Sequence, residues 1–142
     1  MLNHQQQKIL FITSFIGLSI IYYSKYRCNH KDFRDPLTYG NKWCSICDGW
    51  SISHFLLFCI LGYYFPKEFK FTMILGIFWE MLEWIISHTN SKNFIILDKL
   101  RGISTCKLTT DDTINEHWFY AKYTDLLMNM SGFIVGSKLM HR

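Results

Sequence analysis

Between Phe71 and Ser87 the chain carries no charged residue except Glu80 and Glu83. Three positions apart, these carboxylates fall on one helical face, about 60° from each other around the axis. Their neighbours are Phe, Trp, Ile, Leu and Met. In an apolar phase each ionised carboxylate costs roughly 2.5–3.5 kcal/mol. A fold that keeps both must supply a partner for their charge, and a cation is the simplest one.

Three further apolar blocks, Ile9–Ser24, Trp50–Phe65 and Asp125–Leu139, flank this one. Charged segments separate them, which is why 49% hydrophobic residues, with 18% aromatics, give a mean hydropathy of only +0.05. That composition is too apolar for a disordered chain and points to a small polytopic membrane protein. The expected fold is all-α, with about four transmembrane helices around a helical hairpin. It divides into an N-terminal transmembrane helix over 1–25, a polar Cys-containing loop over 26–47 and a catalytic-like membrane core over 48–142. Within the core, helices are expected over 50–65, 71–87 and 125–139, with a long loop over 88–123. Pro66–Lys70 is short enough to make blocks two and three an antiparallel pair. Tyr22–Tyr26 does not suit a signal cleavage site, so the first block reads as a retained helix. Four crossings put the loops before block two and before block four on one side. These two loops hold ten basic residues against five elsewhere, which places them in the cytosol.

The net charge of +4 is scattered through loops, with no basic groove-reading helix, so nucleic acid is not an expected partner. Five cysteines in irregular spacing give no disulfide framework. Cys28, His30, Cys44 and Cys47 could form a structural Zn²⁺ knuckle, against the plainer reading of reduced thiols.

His54 lies about one turn inside block two, where desolvation favours a neutral imidazole able to act as base or nucleophile. The plainer reading is a core histidine bonded to a serine or a carbonyl. Asp48 either caps the helix or fixes the His54 tautomer. In block four, Asp125, Asn129, Gly132 and Gly136 are spaced by four, three and four residues and share one stripe. Its Gly-x-x-x-Gly invites close helix approach, either to bring Asp125 against Glu80 and Glu83 or to form a homo-oligomer contact. Glu116, in the preceding loop, could close the site. Glu80, Glu83, Glu116 and Asp125 together form a set of hard oxygen ligands suited to Ca²⁺, or to Mg²⁺ or Mn²⁺.

In order, Asp48-x5-His54-Phe55, Trp79-Glu80-x2-Glu83-x4-His88 and Glu116-x-Trp118-x6-Asp125 resemble the core of the base-exchange phosphatidylserine synthases. Asp125-x3-Asn129-x2-Gly132-x3-Gly136 resembles VanZ-type membrane proteins. Tyr120 stands where the synthases have an acid, and His117 where they have cysteine. The resemblance implies an integral membrane protein of the endoplasmic reticulum or another internal membrane. Its implied activity is Ca²⁺-dependent exchange of a phospholipid head group for serine or another small alcohol. His54, Asp48, Glu80, Glu83, Asp125 and Asn129 are the implied catalytic residues. The alternative is a non-catalytic VanZ-like membrane protein that binds lipid or a cation.

Overall fold

Asn3 and Gln6 begin the first helix by closing on each other. The Gln6 amide donates to Asn3 Oδ1 at 2.8 Å, and the Asn3 amide donates to Gln6 Oε1 at 3.2 Å. This reciprocal cap satisfies two N–H groups that the first turn would otherwise leave unpaired. Helix α1 therefore spans His4–Asn29, starting before and ending after the apolar block Ile9–Ser24. A computed structural model describes residues 2–29, 37, 48–88 and 123–140. It places α2 at Gly49–Tyr64, α3 at Phe69–His88 and α4 at Tyr123–Met140. The described residues contain no strand, so the expected all-α class holds.

Asp48 caps α2 with extended backbone, its carboxylate accepting from the Ser51 amide at 2.9 Å. At the far end Phe65 N–H donates to Leu61 O, and a tight turn through Pro66 reverses the chain into α3. Glu68 then accepts from Asn3 Nδ2 at 2.9 Å and Gln6 Nε2 at 3.0 Å, tying the start of α1 to the start of α3. Farther along, Gly17 lies against the Trp79 ring. Tyr23 meets Trp50 with centroids 6.3 Å apart. These pairings make α1 run with α3 and against α2.

The tightest contact joins α2 and α4. A Cβ added to Gly132 would overlap the Phe55 carbonyl, one on Gly136 the Cys59 carbonyl, and one on Gly62 the Phe133 carbonyl. Positions 55 and 59 meet 132 and 136 in order, so the two helices are parallel. Four alternating helices thus place the start of α2, the end of α3 and the start of α4 at one end. The opposite end holds the apolar core of Ile9, Leu61 and Phe133, with Phe69 edge-on to Phe133 at 5.3 Å.

No helix among the described residues is long and apolar enough to cross a membrane. The expectation of about four transmembrane helices is therefore not met by the length and apolarity of the described helices. The 16 residues of α2 rise about 24 Å, against a hydrocarbon core of about 30 Å. Helix α1 is long enough but opens on His4-Gln5-Gln6-Gln7-Lys8, while α4 carries Asp125, Asn129 and Lys138.

Because backbone atoms fill the space a side chain would need, Gly132→Ala and Gly136→Ala should each cost about 1–3 kcal/mol. Val135→Ala, on the exposed side of α4, should shift stability by less than about 0.5 kcal/mol. Denaturant unfolding of the purified variants, followed by far-UV circular dichroism, measures the difference.

Candidate active site

The close approach of α2 and α4 aligns four polar side chains across it. Ser51, fully buried, donates its hydroxyl to Asp125 Oδ1 at 2.5 Å and lies 3.2 Å from Asp48 Oδ1. One turn on, His54 Nδ1 is 3.0 Å from Asn129 Oδ1. Because an amide oxygen only accepts, Nδ1–H is the donor in this contact.

From α3, Glu80 brings its Oε1 to 3.8 Å from His54 Nδ1. One ligand-type atom each from His54, Glu80 and Asp125 lies within 4.8 Å of the others. Glu80 is 8% exposed and Asp125 5%. Two carboxylates this close in a dry interior repel each other unless a cation or a proton stands between them. The pair is therefore chemically suited to a divalent ion.

The expected ligand set is only partly assembled. Glu80 and Asp125 meet, while the Glu83 carboxylate accepts the Trp79 indole N–H at 2.7 Å and is not part of the cluster. The reason is angular: Glu83 follows Trp79 by one turn of α3 and shares its face, whereas Glu80 is rotated toward α2 and α4. Glu116 lies outside the described residues, as do His30, Cys44 and Cys47 and the side chain of Cys28 from the zinc reading. Asp48 does not hold the His54 ring. It caps α2 and touches Ser51, and Asn129 takes the role on the imidazole. The glycine stripe brings Asp125 against Ser51 of α2 rather than directly against both acids of α3.

Sequence reasoning missed Ser51 and Trp79. Ser51 had a usable signal, standing three residues after the cap Asp48 and three before His54. Trp79 and Glu83 had the i, i+4 spacing of helix-surface partners.

A cavity of about 520 Å³ opens beside His54, between α1, α2 and α3, with Glu83 and Asn129 also on its wall. No family model matches this chain, and neither a curated protein nor a solved structure does.

With ¹⁵N-labelled histidine, His54 should show the Nδ1–H tautomer. Asn129→Leu should remove that preference while the helical signal stays unchanged. Ser51→Ala leaves a buried carboxylate short of a donor and should destabilise the fold by about 1–3 kcal/mol.

Proposed function

We propose that this chain is a membrane-embedded enzyme acting on the phosphodiester of a phospholipid, exchanging its head group for serine or another small alcohol. The observation that carries the reading is the position of His54. It stands beside two buried acids, is oriented through Nδ1, and borders an apolar cavity. This arrangement puts a base and a cation-binding pair where a polar head and an apolar tail would meet.

Embedding in a lipid phase is supported by an inverted distribution of polarity. Among the described residues, four hydrophobic side chains are buried against six polar or charged ones. Phe11, Phe15, Leu18 and Tyr22 line one outer face of α1, each 65–74% exposed, and Leu56, Ile60, Ile74 and Trp84 are more than half exposed. In water such a surface is a severe aggregation hazard, whereas acyl chains solvate it. Helices shorter than the bilayer are accommodated by local thinning and by polar ends that reach the interface.

In this reading Glu80 and Asp125 would hold the cation. A divalent ion there would polarise a phosphodiester oxygen and offset the charge of the two acids. Oxygen donors suit Ca²⁺, Mg²⁺ or Mn²⁺. His54 Nε2 takes the proton of the incoming alcohol, and Asn129 Oδ1 holds the opposite ring nitrogen so that Nε2 keeps its lone pair. Such a proton transfer is ordinary general-base work for an imidazole. His54 then returns the proton to the departing head-group oxygen, so the exchange is proton-neutral.

A second reading is favoured by the Asp48–Ser51–Asp125 contact, which joins two helices whether or not chemistry follows. It is the non-catalytic VanZ-like protein, with its acids serving as a structural tie.

The two readings separate in liposomes containing the full chain, supplied with labelled serine, ethanolamine or choline, with Mn²⁺ or Ca²⁺ and with chelator. Exchange should require the divalent ion and fall at least about 100-fold in His54→Ala. Absence of exchange for every alcohol, or rates equal in His54→Ala, sinks the enzymatic reading. Mn²⁺ binding followed by paramagnetic resonance should be lost in Glu80→Gln and Asp125→Asn and retained in Glu83→Gln.

A further inference from the structure

The cavity between α1, α2 and α3 has a shape and a chemistry of its own. Its lining runs along α1 from Leu10 to Ile21, about 16 Å at 1.5 Å per residue. This slot, with a volume of about 520 Å³, is within the ~300–1,000 Å³ range of small-molecule sites. Ile16, Leu57, Phe58, Leu75 and Leu82 supply apolar wall along it.

Most polar groups on the wall are already engaged within their own helices. Thr13 Oγ1 donates to Ile9 O, Ser53 Oγ donates to Trp50 O, and Glu83 accepts from Trp79. Asn129 is different. It is 1% exposed, and its Nδ2 has no hydrogen-bond partner among the described residues. A buried amide N–H₂ without an acceptor costs roughly 1–3 kcal/mol, and an acceptor oxygen of a bound molecule would remove that cost. The slot therefore asks for a long, thin apolar body carrying one acceptor oxygen beside His54. A sugar, polar all round, does not match the apolar wall.

We propose that the slot seats one acyl chain of a lipid, whose carbonyl oxygen accepts from Asn129 Nδ2. The phospholipid as the source of that chain rests on the function proposed above, and a free fatty acid offers the same chain and oxygen. Gly17 and Thr13 lie on the α1 wall of the slot. A Cβ on Gly17 would stand 2.9 Å from the Trp79 ring, and Thr13 bonds only within α1.

The test is native mass spectrometry of the detergent-solubilised full chain, titrated separately with lysophosphatidylcholine, palmitate and glycerophosphocholine. One chain-bearing molecule should bind per protein, and glycerophosphocholine, which has a head but no chain, should not. Thr13→Phe and Ile16→Trp, both on the α1 wall of the slot, should each weaken chain binding at least tenfold, with far-UV circular dichroism and Mn²⁺ binding unchanged. Binding of lysophosphatidylcholine over palmitate supports the slot and the phospholipid source together. Binding of palmitate alone supports the slot and counts against head-group exchange. Equal binding of glycerophosphocholine, or undiminished chain binding in both folded variants, overturns the slot even where liposome exchange persists.

Discussion

The contact on which the rest depends is the approach of α2 to α4 over glycine. Gly62, Gly132 and Gly136 place backbone against backbone, leaving no side-chain layer between the two helices. At that separation short side chains reach across. Ser51 meets Asp125, and His54 meets Asn129. With ordinary residues at the glycine positions the axes would move apart and these bonds would be too long. The glycines therefore position the site although none of them takes part in its chemistry.

Chain direction supplies the second constraint. A short turn at Pro66 makes α3 antiparallel to α2, and the glycine pairings make α4 parallel to α2. The end of α3 is thereby brought to the two starts, and Glu80 arrives beside His54. The other end is filled by Ile9, Leu61, Phe69 and Phe133 and packs as an apolar plug. Polarity is thus graded along the bundle axis as well as inverted from inside to outside.

Much of this arrangement was legible in the residues. The apolar blocks marked all four helices, the short link marked the hairpin, and the four-three-four spacing of α4 marked the stripe that meets α2. What was not legible depended on partners far apart in sequence. Asn3 and Gln6 lengthen α1 through a local cap, but their tie to Glu68 exists only once α1 lies beside α3. Asp48 reads as the partner of the imidazole because it is close to His54 in the chain, and nothing in the residues points Asn129 at the ring. The cap geometry commits Asp48 to Ser51, and only the α2–α4 approach delivers Asn129. Gly62 went unread because a lone glycine in an apolar run has no spacing partner on its own helix.

The Glu80 and Glu83 pair shows how one turn of helix can divide two identical side chains between tasks. Trp79 and Glu83 are four residues apart and lie about 40° apart on the helix, so the indole N–H can satisfy the carboxylate. The same indole packs against Gly17 of α1, which commits Glu83 to the wall of the slot. Glu80, turned about 60° from Glu83, faces away from that wall toward His54 and the Asp125 cluster. The charge of the pair is therefore not neutralised as a unit. One acid is held by an aromatic donor and shapes the apolar side. The other lies beside an imidazole and a second carboxylate.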